Sequence, residues 1–489
     1  MKTRNRKKLF LDNFLIYGIG GIISKAIPLI MVPIITSLMP NSSYYGISDL
    51  TNTIINFFEA IAIFGMYDAM YRAFFEKKDL EYQKSICSSA LAFTLLLSLI
   101  CALLMIALRK YISQLFYSDP QYGTLVMIAS ISVLIGSTNS IISAPTRMQN
   151  KRGTYLLMNT LSPLISYGIS IPLLLNGYYL IALPIATASS SIISEAIFAI
   201  LNKNWFSFKR IKLGYIKDML KIAAPLAPNA LIYWVFNSSD RVMITHMLGT
   251  SEAGVYAVAS KFGHLSQLIY TAFAGGWQYF AFSIMKDNDR EKVISKVFEL
   301  LLIASLVTTL LGSSIAKYGV EILFKEEYWS CYTCIPYLYL SPLLLMLFEI
   351  GSDQFLVIKK TWPNLIILST GAVINIALNF VLIKFIGIEG ASLATFIGYF
   401  VSIAIMVFSL SKLNLMHIRK KTLIYIAVFL IFFIIMRANN LSTWYINIPL
   451  ALLFSVLTFF FYWKDYKRYF RRNKNKRIIE LTKGIDLRK

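Results

Sequence analysis

Apolar runs of membrane length recur along nearly the whole chain, and nothing else in the sequence constrains the fold as strongly. About 20 apolar residues in a helix cross a hydrocarbon core of roughly 30 Å. Fourteen such runs are read, at approximately 12–38, 44–70, 85–108, 123–146, 154–175, 178–201, 222–248, 253–284, 293–316, 332–357, 362–383, 388–411, 422–436 and 443–463. Lipid offers no partners to a backbone amide, so only helices and closed barrels can span it. A barrel would show alternation in segments of about ten residues, and these runs do not alternate. The expectation is an all-α polytopic membrane protein with 14 transmembrane helices. Composition agrees: 57% of the residues are hydrophobic and only 15% charged, whereas soluble domains are about a quarter charged.

The net charge of +23 would suggest nucleic acid as a partner if the chain were soluble. Here the basic residues alternate by loop. With the N-terminus inside, 39 Lys and Arg fall in inner segments, and the outer segments hold Arg109, Lys110, Lys317, Lys325, Lys384 and Arg437. This is the positive-inside pattern, and it places both termini in the cytoplasm. The tail "YKRYFRRNKNKR" then rests beside anionic membrane lipid, and no nucleic acid is expected. The N-terminal "KTRNRKK" runs into a full-length span without a small-residue cleavage signal, so it is not read as a removed signal peptide. Cys331 and Cys334 form a lone C-x-x-C lacking the partners of a tetrahedral zinc site. Packing is their expected role, an outward-facing disulfide the alternative.

The chain also repeats itself. Gly46 in "YYGISDL" and Gly254 in "EAGVYAV" are 208 positions apart, and each follows a similar span end, "ITSLM" or "ITHML". Lys151–Arg152 and Lys359–Lys360 keep the same offset, as do Ala186–Thr187 and Ala394–Thr395. Six spans per repeat run both halves the same way through the membrane, related by an axis along its normal. The organisation expected is a cytoplasmic N-terminus (1–11), an N-lobe of spans one to six (12–201) and a cytoplasmic linker (202–221). A C-lobe of spans seven to twelve (222–411), spans thirteen and fourteen (412–463) and a basic cytoplasmic tail (464–489) follow. Two lobes enclosing a central cavity form a transporter plan.

Three cations, Lys25, Arg241 and Lys261, fall inside spans rather than in loops. A charge at the centre of a membrane helix costs roughly 2.5–3.5 kcal/mol on the insertion scale, so such residues face the bundle interior or water. Arg241 shares a face with Asn237, Ser238 and Thr245, while Asp240 beside it points about 100° away, so the two need not pair. Lys261, His264, Gln267 and Thr271 form a second polar stripe. Asn52, Asn56 and Glu59 align on the second span, and Glu349 and Asp353 on the tenth. All are assigned to a common aqueous cavity, in which the three cations lack a full set of acidic partners. Asp240, Glu59 and Glu349 read as coupling groups or as structural counter-charges, and His264 reads first as a hydrogen-bonded core histidine and second as a coupling group. Pro28, Pro33, Pro225 and Pro228 should bend the first and seventh spans.

"DRVMITHMLGTSEAGVYAVASKF" resembles the seventh-to-eighth-span signature of bacterial polysaccharide repeat-unit flippases (O-antigen, capsule and exopolysaccharide units), which belong to the multidrug/oligosaccharidyl-lipid/polysaccharide exporter superfamily. "LMPNSSYYGISDL" and "IGIEGASLATFIG" resemble its first-to-second and eleventh-to-twelfth span patterns. The resemblance covers nearly the whole chain. It implies flipping of undecaprenyl-diphosphate-linked oligosaccharide from the inner to the outer leaflet of the bacterial cytoplasmic membrane, by alternating access through a cationic cavity. Lys25, Arg241, Lys261 and Asn237 are the candidate substrate ligands, because fixed guanidinium and ammonium groups can replace a diphosphate's hydration. A proton or sodium gradient is the candidate driving force. A polysaccharide polymerase and a chain-length regulator are candidate partners, and no cofactor or metal is expected.

Three alternatives stand beside this reading. An ion-coupled multidrug exporter of the same superfamily should place uncompensated acids and aromatics in the cavity, and the deep charges here lean basic. A peptidoglycan lipid-precursor flippase is not separable by sequence. A membrane polysaccharide polymerase would need a larger outer loop than about 109–122 or 317–330, and no catalytic motif is present, so no enzyme is expected.

Overall fold

The computed structural model describes residues 26–463 except 150, 272, 274–276, 278–280, 282–288, 359, 361, 439–442 and 444. Its described residues form helices and no strand. In chain order these are α1 (Ala26–Leu38), α2 (Ser42–Ile63), α3 (Met66–Phe74), α4 (Leu80–Ala107), α5 (Arg109–Tyr117), α6 (Gly123–Met148), α7 (Arg152–Leu175) and α8 (Ala182–Leu201). The second half continues with α9 (Leu213–Trp234), α10 (Asp240–Leu248), α11 (Thr250–Gly263), α12 (Arg290–Leu323), α13 (Ile335–Val357), α14 (Trp362–Lys412), α15 (Lys420–Ala438) and α16 (Tyr445–Trp463). Among the described residues ten helices are long and apolar enough to cross a membrane, or eleven when α2 and α3 count as one bent span. Non-helical dihedrals at Ile386 and Gly387 break α14 in two, at the boundary expected between spans eleven and twelve. Parts of the first and eighth expected spans lie outside the described residues.

The spans carry two further irregularities beside the prolines. Pro225 and Pro228 sit inside α9, which continues through them. The seventh span departs from α-geometry about two turns after Pro228, in a π-helical turn over Val235–Ser239 that leads directly into Asp240 and Arg241. The second span bends by 46° between α2 and α3. Phe64 and Gly65 both have positive φ there, and a side chain at Gly65 would run into the Ala223 carbonyl of α9 at 2.8 Å.

Within the first half α4 packs on α6, α6 on α8 and α7 on α8; within the second, α12 packs on α13 and α13 on α14. Helices α15 and α16 add Tyr425, Phe429, Phe454 and Tyr462 to the apolar core of the second half, outside the repeat. The halves meet along α2. Near its start α2 crosses α11 so closely that a Cβ at Gly46 would stand 2.2 Å from the Thr250 carbonyl, and one at Gly254 would stand 2.0 Å from the Ser42 carbonyl. These residues are repeat mates: Ser42 corresponds to Thr250 and Gly46 to Gly254 at the 208 offset. Close helix crossings in membranes use such small residues because packing, not hydrophobicity, holds helices together there. Ser42 Oγ lies 2.6 Å from Ser251 Oγ, and Glu327 accepts a 3.0 Å hydrogen bond from the Ser42 amide. The Lys325 ammonium donates to the Met39 carbonyl at 3.1 Å, closing the same end. At the other end α3 and α9 share a cluster of Met66, Ala69, Met70, Met219 and Ala223. The halves therefore touch at both ends, with the middle of α2 and the π-helical turn between.

The cysteines are free thiols. Cys331 and Cys334 are buried in the core between the halves, and burial pushes the Cys331 thiol well above its ordinary range. Packing is what they do.

Candidate functional site

Arg241 sits one position into α10, where the π-helical turn ends. Its Nε lies 2.5 Å from Asp49 Oδ2 on α2, across the boundary between the halves. One guanidinium nitrogen lies 3.3 Å from Asp240 Oδ1 and also donates to the Asn237 carbonyl in the preceding turn. Tyr256 on α11 donates its hydroxyl to the other Asp240 oxygen, and its ring faces the guanidinium carbon at 5.8 Å. Lys261 places its ammonium 4.0 Å from Asp49 Oδ1 and keeps a side chain 44% exposed. Asp49, Asp240 and Arg241 are all buried.

Two expectations are corrected here. Asp240 and Arg241 do pair, because the Arg side chain folds back over its own helix rather than leaving along its Cα–Cβ direction. The cations are not short of acids either: among the described residues Arg241 and Lys261 meet Asp49 and Asp240, two charges of each sign. Lys25 lies outside the described residues.

Asp49 is the residue that sequence reasoning missed. It stands within "YYGISDL", a stretch noticed for its glycine. It carries the same signal as Asp240, an acid inside an apolar run, which is costly unless a partner or water meets it.

Two pockets flank the ion pair. The N-lobe pocket, about 140 Å³, is lined by Tyr45, Asp49 and Asn52 of α2, Tyr167 of α7, Thr187 of α8 and Lys261, among others. The C-lobe pocket, about 20 Å³, is lined by Asn237, Asp240, Arg241, His264, Gln267 and Tyr270, with Phe236, Ser260, Thr395 and Tyr399. The first has room for several waters and the second for about one. Positions 28, 32, 52 and 187 of the N-lobe pocket lie 208 before positions 236, 240, 260 and 395 of the C-lobe pocket. The repeat thus reproduces the pockets. It does not reproduce the charges: Val32 stands opposite Asp240, Pro33 opposite Arg241, and Ala257 opposite Asp49.

Of the residues expected to share one cavity, Asn237, Asp240, Arg241 and His264 line the C-lobe pocket, and Lys261 lines the N-lobe pocket. Glu349 lies outside both and accepts a 2.6 Å hydrogen bond from the Tyr270 hydroxyl. Glu59 is also outside. Its carboxylate lies against Gly136 of α6, where an added Cβ would stand 1.9 Å from Oε1. Asn56 is exposed, so only Asn52 of that stripe reaches a pocket. Among the described residues no group of three His, Cys, Asp or Glu side chains could hold a metal ion.

Comparisons with known proteins fit this architecture. The fold matches the lipid II flippase MurJ in an inward closed conformation, with a TM-score of 0.70 and 18% identity over 92% of this chain and 99% of that one. It also matches the Vibrio cholerae MATE transporter VcmN in its bent form, with a TM-score of 0.58 and 13% identity over 83% and 96% of the two chains. An outward-facing multidrug resistance MATE family transporter of the MOP superfamily aligns with a TM-score of 0.55 and 16% identity, over 82% and 95%. At such identities the likeness is one of fold. No curated protein matches the sequence. Residues 38–333 match the family model described as polysaccharide biosynthesis protein. That stretch is more than half of the chain and contains α2, α10, α11 and the whole charge cluster, and the protein belongs to this family.

Proposed function

We propose that the protein flips undecaprenyl-diphosphate-linked oligosaccharide repeat units from the inner to the outer leaflet of the bacterial cytoplasmic membrane. Both termini face the cytoplasm in this reading. The observation that carries it is Arg241, a buried guanidinium at the meeting of two pockets, held by one acid from each half of the molecule. A diphosphate presents paired oxygens that match the guanidinium fork. It can take the place of the Asp49 carboxylate, and Lys261, half exposed and 4.0 Å from Asp49, is placed to follow it. Exchange of Asp49 for substrate removes a buried bond between the halves at the moment the substrate arrives. Binding is thereby coupled to rocking of one half on the other, which alternating access requires. The isoprenoid tail stays in lipid while the head group crosses.

Membership of a polysaccharide biosynthesis family favours a lipid-linked glycan over a drug. The residues agree, because neither acid at the pockets is left without a cation. A peptidoglycan precursor carries the same diphosphate and remains the second reading on the fold match. Asp240, with Tyr256, holds Arg241 from its own half and acts as a structural counter-charge. The chain performs transport, not catalysis, in this account.

The test is flipping of a fluorescent undecaprenyl-diphosphate oligosaccharide in proteoliposomes. Lys cannot reproduce the two-pronged grip of Arg, so Arg241→Lys should keep the fold and lose most of the transport. Transport at the wild-type rate in Arg241→Lys would refute the assignment.

A further inference from the structure

We infer that the N-lobe pocket is a saccharide subsite that receives one uncharged sugar ring, the one next to the diphosphate. The inference rests on the flippase reading and names what the larger pocket is for.

Six side chains carry it: Tyr45, Ser48 and Asn52 from α2, Ser166 and Tyr167 from α7, and Thr187 from α8. Among the described residues none of these six makes a side-chain hydrogen bond within the protein. Ser48 is only 2% exposed, yet its hydroxyl is not sealed into the packing. The polar atoms of the six are therefore open to whatever fills the pocket, and an occupant that covers a neutral hydroxyl or amide without pairing it costs about 1–3 kcal/mol. Six converging on one pocket of about 140 Å³ make a site built to be filled by something polar.

The chemistry narrows the occupant. An apolar molecule would strand all six groups. A free anion finds little net attraction, because Lys261 faces Asp49 across 4.0 Å at the pocket wall. A pyranose ring suits the lining: its rim of hydroxyls both donates and accepts, as Ser, Thr, Tyr and Asn require. Its apolar faces suit the rings of Tyr45 and Tyr167, which offer both an apolar body and a polar tip. Asp49 fixes the order along the substrate. It lines this pocket and pairs with Arg241 of the other, so a sugar here lies beside whatever anion Arg241 holds.

Sites that hydrogen-bond a hydroxyl reject analogues that lack it, so this pocket would set which repeat unit is carried. The test uses purified full-length protein in lipid nanodiscs, titrated with methyl pyranosides followed by saturation-transfer NMR. The panel holds a hexose, a 6-deoxyhexose, an N-acetylhexosamine and a uronic acid; inorganic diphosphate is titrated separately by calorimetry. At least one uncharged glycoside should bind. Thr187→Val removes one hydroxyl at constant shape and should weaken it about 3- to 10-fold, with Asn52→Leu weakening it at least as much and thermal unfolding of both variants unchanged. The inference is overturned if no uncharged glycoside binds, if only the uronic acid binds, or if both variants bind as the wild type does. Glycoside binding without diphosphate binding would instead refute the anion assignment of Arg241 and leave the sugar pocket standing.

Discussion

Replacing Arg241 by Ala should damage the protein more than replacing either of its acidic partners. The substitution leaves Asp49 and Asp240 buried close together with no guanidinium between them. Removing one member of a buried ion pair costs about 3–5 kcal/mol, because the remaining charge keeps its desolvation penalty. Lys261 softens this only in part, since it reaches Asp49 at 4.0 Å and is half in solvent. Asp49→Ala is milder: Arg241 keeps Asp240 at 3.3 Å and the Asn237 carbonyl, so the loss is that of one charged hydrogen bond, about 1.5–3 kcal/mol. The double change Asp49→Ala with Arg241→Ala removes one of the two stranded acids and should cost about 0.5–3 kcal/mol less than the sum of the two single changes. The assay is reversible unfolding by sodium dodecyl sulfate in mixed micelles, followed by tryptophan fluorescence. If the two single costs simply add in the double variant, the two side chains are not energetically coupled, and the bond between the halves has been misread.

Two other expectations concern shape and orientation. Ser42→Cys paired with Ser251→Cys should cross-link readily in a background free of other cysteines, since the native hydroxyls lie 2.6 Å apart; adding Gly254→Ala, whose Cβ meets the Ser42 carbonyl at 2.0 Å, should abolish the cross-link, and its persistence would show that the crossing is not tight. Ser207→Cys, in the basic segment between α8 and α9, should stay unlabelled by an impermeant thiol reagent in intact cells; efficient labelling would reverse the proposed topology.

The helical membrane architecture was legible because apolar length and loop charge are one-dimensional signals, readable without knowing any contact. The 208-residue offset was equally legible, and its meaning is now physical: Gly46 and Gly254 recur because two helices cross at their backbones. Arg241, Asp240, Asn237 and Lys261 were found because a charge or amide in an apolar run is costly and therefore placed for a reason. Their partnership was not legible. Asp49 lies 192 residues from Arg241, and no local spacing announces a bond across that distance. Glu59 fits the same helical stripe as Asn52 yet turns to Gly136, because helix periodicity gives a face and not the neighbour that covers it. The π-helical turn of the seventh span was not legible either, because no residue type marks it as proline marks a kink.

The central claim is that an anionic substrate group displaces Asp49 from Arg241. Binding of inorganic diphosphate to the purified protein, compared by calorimetry between wild type and Asp49→Asn, tests it most directly. If Asp49 is the competitor, neutralising it frees Arg241, and diphosphate should bind about tenfold tighter or better, the equivalent of one charged hydrogen bond no longer to be broken. Affinity that is unchanged or weaker in Asp49→Asn would contradict the account.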